Sequence, residues 1–530
     1  MRSRDTRGET PGTRSGRARR RNGLQHKWLP TVPGWALSLP SRRDDDDHGR
    51  ATTSVRPDER IRLNGEALYR RAPVWMQTVL LNAYALRLHR QRYGRPFPAL
   101  QAEWSESEWW DPSQLRAWQD RRVTEMVRFA HDHVPYYRRR FAEHGVRPQQ
   151  FGGVDDLPQL PLLTKEDVRR ARTELLASPH ARHLLHGHTS GTTGSPLGVW
   201  YDRPMAVANN AADWRQKGWG GLAQSEWCGL LLGRVIVPAG QRQPPFWRPD
   251  YLHRQLWLSS FHMNDRNLDL YVRELRRRGI RFLEGYPSTL YILARHLLRA
   301  GERLPLRAVF SSSETLHTIQ REALGAAFEC SVFDYYGLAE RVIFAGECER
   351  HGGKHVFDEY GVAEVVDDAG HPVPLGQPGW LVGTTLWNRG MPLIRYRTSD
   401  VSTRVANRCG CGRGLSRIAD VATKAEDIVV TPDGRFVSPS VLTHPFKPFS
   451  QILKSQLIQD AEDHVVVKLV ATAELGRGQR AELVAGLRER LGDGVRVDLV
   501  DVDDIPPEPS GKFRWVISLV PHDCAVSWRS

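Results

Sequence analysis

The residues with the clearest chemical signature form a run of seven small or hydroxyl-bearing side chains. The run is Thr189, Ser190, Gly191, Thr192, Thr193, Gly194 and Ser195. Glycine lets the backbone turn sharply, and amide and hydroxyl donors can then converge on one anion, so the run predicts a phosphate site. A Walker-type P-loop would end in Gly-Lys-Ser/Thr, and the continuation into Pro196 and Leu197 disfavours that class. A Gly/Ser-rich linker is the structural alternative.

Three polar turns follow apolar segments farther along the chain. Apolar segments alternate with helical patterns between residues 218 and 337, which predicts a parallel sheet with right-handed crossovers. The predicted strands are Gly229–Val237, Ile280–Leu283, Ala308–Phe310 and Ser331–Phe333, and the predicted helices are Leu268–Arg278, Ser288–Leu298 and Leu316–Phe328. The turns Gly285–Ser288, Ser311–Glu314 and Asp334–Gly337 should meet at one edge of this sheet, where such sheets bind ligands.

A helical region is predicted from residue 73 to about residue 150. The apolar face of its first helix comprises Val74, Val79, Leu80, Ala83 and Leu86. A second helix should begin after the N-cap Asp111, with Pro112 at its first position. Its apolar positions are Leu115, Trp118, Val123, Met126, Val127 and Ala130. The aromatic residues of this region are expected to be core, with Tyr136 and Tyr137 as the pair to examine.

The last hundred residues predict a smaller α+β unit. Its elements are Asp427–Val430, Arg435–Val437, Val465–Val470, the helix Gln479–Leu491 and Val495–Val500. The closing loop Pro506–Lys512 contains prolines and a glycine that present Lys512 on a turn. The expected fold class is therefore α/β, with a disordered basic tail at residues 1–60, a large domain at 61–423 and a small lid at 424–530.

Three of the six cysteines and one histidine have metal-ligand spacing. Cys348 and His351 form a Cys-x2-His pair, and Cys409 and Cys411 form a Cys-x-Cys pair. Three thiolates and one imidazole would complete a tetrahedral structural zinc site, with reduced core thiols as the alternative. No disulfide framework is evident, which fits a reducing compartment and a cytoplasmic location.

Composition narrows the functional class. The chain has 530 residues and a formal charge of +14, of which residues 1–27, with nine Lys/Arg and two Asp/Glu, contribute +7. Because half of the excess charge lies in the tail, a concentrated nucleic-acid-binding face is not expected, and a zinc-containing nucleic-acid-binding protein is the remote alternative. No segment approaches the roughly 20 apolar residues of a membrane helix, and no membrane partner is expected. A homodimer is compatible with the sequence.

Four motifs in a fixed order resemble the signature of adenylate-forming enzymes. They are Thr189–Gly198, Tyr335–Glu340, Arg395–Asp400 and Pro509–Lys512. The segments Val134–Phe141 and Leu160–Arg169 further resemble the phenylacetate–coenzyme A ligase family and its capsular-polysaccharide-associated relatives, and the resemblance covers roughly residues 70–520. It implies a large domain with parallel-rich sheets and a small C-terminal lid, and its relatives often carry a similar Cys/His set.

The resemblance also implies roles for individual residues. The loop that would hold the β- and γ-phosphates of ATP comprises Thr189, Ser190, Gly191, Thr192, Thr193 and Gly194. The residues that would surround the adenine and the acyl carboxylate are Ser311, Ser312, Ser313, Asp334, Tyr335, Tyr336 and Gly337. Glu340 would bind Mg²⁺, and Asp400, preceded by Arg395 and Arg397, would bind the ribose hydroxyls. Lys512 and Glu340 would be the catalytic pair. Taken singly, Glu340 could instead be a solvated surface charge, and the strand with Arg395 and Arg397 could be an ordinary sheet face.

Two departures from the family pattern alter these expectations. Leu197 stands where the superfamily commonly has Lys or Thr. Lys424 stands where members usually place an arginine, and lysine lacks the planar fork that binds oxygens bidentately. Arg417 is then a candidate substitute for that contact.

The resemblance implies an ATP-dependent ligase that activates a small-molecule carboxylic acid as its adenylate. Transfer to coenzyme A is the expected second step, whereas an amine or hydroxyl acceptor, or transfer of AMP itself, is the alternative. Tyr136 and Tyr286 are candidates for the acid pocket, and an aryl acid is compatible with them.

Overall fold

The computed structural model describes most of the chain. The described residues are 69–178, 184–188, 197–238, 240–405, 408–421, 428–437, 439–449, 451–506 and 514–520. None of the helices in these ranges combines the length and hydropathy needed to traverse a lipid bilayer. The predicted tail at residues 1–60 lies outside the described residues.

Four helices open the described part of the chain. They are α1 (Val74–Arg92), α2 (Pro96–Ser107), α3 (Pro112–His133) and α4 (Pro135–Glu143). The predicted start of α3 is confirmed, because the Asp111 side chain accepts from the Ser113 amide and the Gln114 side chain completes a capping box. All six predicted apolar positions of α3 are buried.

The predicted buried face of α1 is wrong. Val79 is 58% exposed and Leu86 is 45% exposed, whereas the residues that face the core are Gln77, Leu81 and Ala85. Gln77 is buried because its Oε1 accepts from the Arg248 Nε at 3.0 Å. The helix therefore presents to the core the face that carries Gln77, which bonds to a residue far along the chain, and not the face predicted from its apolar residues.

Nine strands form the central sheet. In spatial order they are β14 (Arg417–Ile418), β10 (Lys354–Val356), β9 (Phe344–Glu347), β8 (Ser331–Gly337), β7 (Ala308–Ser312), β6 (Phe282–Gly285), β3 (Cys228–Leu231), β5 (Gln255–Leu258) and β4 (Trp247–Asp250). The five strands from β8 to β5 are parallel, as predicted. The remaining strands, β4 at one edge and β9, β10 and β14 at the other, each pair antiparallel with their neighbours.

Helices cover both faces of the parallel strands. The helices are α6 (Arg203–Trp219) on one face and α7 (Asp265–Arg277), α8 (Pro287–Arg299) and α9 (Thr318–Phe328) on the other. Gly220, at the end of α6, lies so close to Phe310 and Phe333 that a Cβ there would be 2.6 Å from the Phe310 ring. The predicted α/β class with crossover helices is confirmed.

A second sheet and a hairpin flank this layer. The antiparallel sheet contains β11 (Gly361–Val366), β12 (Pro378–Thr385) and β13 (Tyr396–Thr403). A parallel bridge between Leu163 and Tyr396 fixes the short helix α5 (Lys165–Arg170) to the start of β13. The hairpin pairs β1 (Leu185–His188) with β2 (Gly198–Tyr201), and the predicted phosphate loop connects these two strands.

The C-terminal region has its own sheet. Its elements are β15 (Val429–Val430), β16 (Phe436–Val437), α10 (Pro439–Leu442), a 3-10 helix (His444–Phe446), β17 (Ile452–Ala461), β18 (His464–Ala471), α11 (Arg477–Leu491), β19 (Arg496–Asp501) and β20 (Val516–Ser518). The sheet order is β19-β18-β17-β20. This region contacts the rest of the protein through the Phe436 amide, which donates to the Met263 carbonyl at 3.0 Å. The Ser440 hydroxyl likewise donates to Glu314 at 2.8 Å.

Two sequence-based boundaries need correction. The strand predicted to extend to Val237 ends at Leu231. The segment Asp334–Gly337, predicted as a turn, belongs to β8, because antiparallel pairing with β9 extends that strand. The polar residues at the sheet edge therefore lie in regular strand and alternate between its two faces.

Candidate functional site

Several predicted site residues lie outside the described part of the chain. These are the phosphate-loop residues Thr189, Ser190, Gly191, Thr192, Thr193 and Gly194, together with Lys424 and Lys512. Their roles stay predictions.

The structure brings Glu340 and Asp400 together at the edge of the central sheet. The Tyr396 hydroxyl donates to Glu340 Oε1 at 2.8 Å, and the Tyr336 hydroxyl donates to Asp400 Oδ2 at 2.7 Å. Burial raises the pKa of Glu340, and the neighbouring Asp400 charge raises it further. Tyr336 lies in β8 and Glu340 shortly after it, whereas Tyr396 and Asp400 lie in β13, so the site depends on how the two sheets meet.

A cation that the sequence analysis missed faces both carboxylates. Lys165, the first residue of α5, is half-buried beside Glu340 and Asp400. Burial and the neighbouring Arg169 lower the pKa of Lys165 to about 8, against the opposing effect of the carboxylates. The helix cap at Thr164 could have shown from sequence that Lys165 has a fixed position at the start of α5. Only the bridge between Leu163 and Tyr396 shows that Lys165 lies at this site.

Arg341 connects this site to the hairpin that carries the predicted phosphate loop. Its guanidinium carbon lies 3.6 Å from the centroid of the Tyr201 ring, at the end of β2. Arg341 has a left-handed backbone (φ 57°), as does Ser313 (φ 71°) at the end of β7. Such conformations cost non-glycine residues on the order of 1–3 kcal/mol and concentrate at functional sites.

The predicted nucleotide residues Ser311 and Asp334 bind each other. The Ser311 hydroxyl donates to Asp334 Oδ1 at 2.7 Å, and the Lys354 Nζ lies 3.0 Å from Asp334 Oδ2. Burial raises the pKa of Asp334 to about 6, although Lys354 opposes the shift. Because these polar atoms are already paired inside the sheet, contacts of this turn with a ligand would come from the backbone or from Ser312 and Ser313.

Tyr335 lies on the other face of β8. Its hydroxyl donates to Glu284 at 2.9 Å, and its ring stacks on Phe344 with 5.4 Å between centroids. Glu284 in turn accepts from the buried Lys217 at 2.9 Å. Gly337, at the end of the strand, is exposed.

The arginines near Asp400 face away from it. Arg395 is buried, pairs with Glu364 at 3.1 Å and donates to the Leu160 carbonyl at 2.7 Å. Arg397 stacks on Trp380. Arg417 lies in β14, where its Nη1 donates to the Gly352 carbonyl at 2.7 Å beside the cysteine residues. These contacts do not support the predicted role of Arg417 at the nucleotide.

The two tyrosines predicted for the acid pocket belong to different hydrophobic clusters. Tyr136 is 5% exposed and packs edge-on against Tyr137, within a core formed by α3, α4 and the second sheet. Tyr286 caps the start of α8 and packs against the core of the C-terminal region. Their joint assignment to one pocket stays a prediction without support from these contacts.

The cysteines gather with a histidine other than the predicted one. The group comprises Cys348, His355, Cys409 and Cys411, whose ligand atoms all lie within 4.8 Å of one another. Cys348 and Cys409 sulfurs are 3.7 Å apart, and Cys411 Sγ is 3.4 Å from His355 Nε2. His351 instead approaches Glu347, with 3.1 Å between its Nδ1 and Oε2. The predicted assignment of His351 is corrected to His355, because β10 turns the later side chain toward the thiols.

The arrangement around Glu340 is suited to a nucleotide and a divalent cation. Carboxylate oxygens are the ligands that Mg²⁺ prefers, and a second carboxylate can accept from hydroxyls. The nearby lysine offers a positive charge toward an anionic ligand. Arg341, the residue after Glu340, contacts Tyr201 in the hairpin whose two strands flank the predicted phosphate loop.

Comparisons with known proteins identify similar chains. Residues 429–519 match the family described as the CapK C-terminal domain. The chain is 29% identical to a phenylacetate–coenzyme A ligase of Thermus thermophilus, over 77% of this chain and 97% of that protein. It is 23% identical to Protein CapK of Staphylococcus aureus, over 85% and 98% respectively.

A solved structure shows the same fold. The chain aligns with 2-hydroxyisobutyryl-CoA ligase, crystallised with 2-HIB-AMP and CoA in the thioesterification state, with a TM-score of 0.53, 20% identity and coverage of 77% of this chain and 90% of that one. The chain shares the fold of this CoA ligase and is similar in sequence to a phenylacetate–coenzyme A ligase and to Protein CapK. The resemblance to phenylacetate–coenzyme A ligases and CapK is confirmed.

Tyr396→Phe tests how Glu340 is positioned. Loss of the hydroxyl leaves one Glu340 oxygen without this donor, so we expect the affinity for Mg·ATP to fall about 10-fold. Isothermal titration measures the affinity. Tyr137→Phe is the matched control, since it removes a buried tyrosine hydroxyl that donates to the Pro392 carbonyl. Equal affinities for the parent and Tyr396→Phe would exclude Tyr396 as a positioning residue.

Proposed function

We propose that this protein activates a small carboxylic acid with ATP as an acyl adenylate and then transfers the acyl group to coenzyme A. The observation that supports this most strongly is the proximity of Glu340 and Asp400, each of which accepts a hydrogen bond from a tyrosine hydroxyl, Tyr396 and Tyr336 respectively. The relatives named as phenylacetate–coenzyme A ligases support the same reaction. The acid itself is left open.

The residues have separate tasks in the first step. An oxygen of the acid attacks the α-phosphorus of ATP, the bond to the β-phosphate bridging oxygen breaks, and pyrophosphate leaves. Asp400 would accept from the ribose hydroxyls, and Glu340 would hold Mg²⁺, which supplies charge neutralisation at the phosphates. Thr189–Gly194 would bind the β- and γ-phosphates, and Lys512 would stabilise charge on the transferring phosphoryl group.

The second step forms the thioester. The thiolate sulfur attacks the carbonyl carbon of the adenylate, the acyl–phosphate bond breaks, and AMP leaves. Burial of Ser311 and Asp334, on the adjacent strands β7 and β8, would limit the access of water to the adenylate. The thiol proton passes to solvent or to the leaving phosphate.

We further propose a structural zinc ion at Cys348, His355, Cys409 and Cys411. Tetrahedral zinc with sulfur ligands at about 2.3 Å requires sulfur atoms about 3.8 Å apart. The Cys348–Cys409 separation of 3.7 Å fits that geometry. Such an ion would fix β10 to the 408–413 segment, whose Arg413 binds Glu108 and Glu349 at 3.2 and 2.9 Å.

A ligase that transfers the acyl group to another acceptor would share the adenylation step. An amine or a hydroxyl in place of the thiol would be the alternative acceptor of the acyl group. In either case the protein would act in the cytoplasm, where thiols stay reduced.

A panel of aryl, hydroxy and aliphatic acids tests the proposed function. We expect at least one acid to drive the release of pyrophosphate from ATP, and coenzyme A to convert the adenylate into a thioester detectable by mass spectrometry. Glu340→Gln, which keeps the size of the side chain, should lose most of the release. If no acid in the panel elicits release from zinc- and magnesium-supplied protein, the proposal is wrong.

Lys512→Ala separates the two half-reactions. Removing this cation should slow adenylation on the order of 10²–10³-fold, as for other single electrostatic donors to a transition state. Conversion of synthetic acyl adenylate and coenzyme A into thioester should proceed at nearly the parent rate. Equal losses in both steps would make Lys512 a structural residue.

Metal analysis tests the zinc site. We expect about one zinc per chain in protein purified without chelators, and His355→Ala should lower both zinc content and melting temperature. His351→Ala is the matched control and should retain the metal. Loss of zinc in His351→Ala with retention in His355→Ala would contradict the assignment.

A further inference from the structure

The hairpin of β1 and β2, which flanks the predicted phosphate loop, has one aromatic ring on each face. Trp200 and Tyr201 are consecutive residues of β2, so their side chains point to opposite faces of the hairpin. Trp200 stacks on His186, its partner in β1, with 4.4 Å between the ring centroids. Tyr201 lies on the other face, beside Gly187. Neighbouring elements can therefore contact the hairpin from two sides.

A glycine makes room for the ring on each face. A Cβ at Gly198 would lie 3.0 Å from His186 Nε2 and 3.3 Å from the Trp200 ring. A Cβ at Gly187 would lie 3.2 Å from the Tyr201 ring. Each distance is shorter than an ordinary van der Waals contact, so a larger residue at either position would push the ring on its face away.

A guanidinium covers each ring. The guanidinium carbon of Arg172 lies 4.3 Å from the centroid of the Trp200 ring, and that of Arg341 lies 3.6 Å from the centroid of the Tyr201 ring. A cation over an aromatic face is attracted by the quadrupole of the ring. The hairpin is thus held between two arginines that come from different parts of the chain.

Arg341 extends directly from the carboxylate site. It follows Glu340 in the chain, and its backbone is left-handed, with φ 57°. Non-glycine residues keep such a conformation only where the surrounding structure imposes it. In this conformation the guanidinium reaches the Tyr201 ring, so the hairpin is tied to the residue beside the proposed Mg²⁺ ligand.

Arg172 stands on a segment that is held at both ends. It follows α5, which is tied to β13 by the bridge between Leu163 and Tyr396. Farther along the segment, the Ala177 amide donates to the Gly390 carbonyl at 3.1 Å. The guanidinium that covers this face of the hairpin therefore comes from a fixed backbone.

Asn388 fixes the base of the hairpin. It is buried, and its Nδ2 donates to the Trp200 carbonyl at 2.8 Å and to the Met391 carbonyl at 2.9 Å. Because hydrogen bonds already hold the base, the contacts on the two rings determine how the strands tilt. That tilt determines where the loop between β1 and β2 begins and ends relative to Glu340.

We propose that Arg172 and Arg341 are positioning residues that hold the β1–β2 hairpin from its two faces and thereby place the predicted phosphate loop. The inference rests on the proposed function for its nucleotide. The arginines act through the Trp200 and Tyr201 rings and not by contact with the ligand. Their effect is therefore confined to ligands that carry the β- and γ-phosphates, which this loop is predicted to bind.

Calorimetric titration of the full-length protein with Mg·ATP and with AMP tests the proposal without knowledge of the acid. We expect Trp200→Leu and Tyr201→Leu each to weaken ATP binding about 10-fold, as for loss of a partly desolvated cation–π contact. Arg172→Met and Arg341→Met, which remove the cation and keep a long side chain, should have the same effect. AMP lacks the β- and γ-phosphates, so its affinity should stay at the parent value.

Conservative variants and a distant arginine provide the controls. Tyr201→Phe keeps the ring and Arg341→Lys keeps the cation, so both should bind ATP nearly as the parent does. Arg307→Met removes a guanidinium whose carbon lies 5.3 Å from the centroid of the Phe282 ring, at the amino end of β7. It should leave the affinities for ATP and AMP unchanged.

Three outcomes would overturn the proposal. One is parent-like ATP affinity in Arg172→Met and Arg341→Met. Another is an equal loss of affinity for ATP and AMP, which would indicate a general loss of structure. The third is weakened ATP binding in Arg341→Met with parent-like binding in Tyr201→Leu, because Arg341 would then bind the phosphates itself.

The proposed function and this inference fail in different measurements. A parent protein that binds neither ATP nor AMP would refute the nucleotide site and with it the proposed function. A parent that binds both nucleotides, with ATP affinity that is insensitive to these substitutions, would refute the role of the two arginines alone.

Discussion

The site depends on two like charges that are held close together at the junction of two sheets. Glu340 and Asp400 repel each other, and burial disfavours their ionised forms. Tyr396 and Tyr336 each donate a hydrogen bond to one carboxylate, and the half-buried Lys165 supplies the opposite charge. A divalent cation would complete the neutralisation of the two carboxylates, which is the basis for proposing a metal–nucleotide site here.

The surrounding structure maintains that geometry. Tyr336 is placed by the antiparallel pairing of β8 with β9, where it lies opposite Ala345, and Asp400 lies at the irregularity in the pairing of β12 with β13, between Arg397 and Val401. The bridge between Leu163 and Tyr396 places the helix that carries Lys165 beside them. Arg395, with its buried pairing to Glu364, anchors the start of β13 and therefore contributes through position rather than by contact with a ligand.

The order of the motifs and the α/β class could be predicted from the sequence, because both depend on local patterns. The start of α3 was predictable for the same reason, since its cap is formed by adjacent residues. His355 could not be distinguished from His351 by spacing, because the choice depends on how β10 pairs with β9 and β14. The face of α1 was mispredicted because Gln77 bonds to Arg248, which is 171 residues away.

The distribution of charge shows the same limit of sequence-based prediction. Summation along the chain assigned half of the excess charge to the tail, yet Arg234, Lys447 and Arg490, which are widely separated in sequence, are close enough for their charges to act on one another. Only the packing of α10 and α11 against the loop after β3 brings them together. Local patterns therefore predict which chemistry the chain carries, whereas long-range packing determines which charges act as a unit.

The most direct measurement of the central claim is a titration of Mg·ATP into Asp400→Asn. If Asp400 accepts from the ribose in the site that Glu340 shares, affinity should fall about 10-fold, because a charged acceptor is lost while its size is kept. Asp358→Asn alters another buried carboxylate, which accepts from Ser416, and should leave the affinity unchanged. Parent-like affinity in Asp400→Asn would show that the nucleotide binds elsewhere.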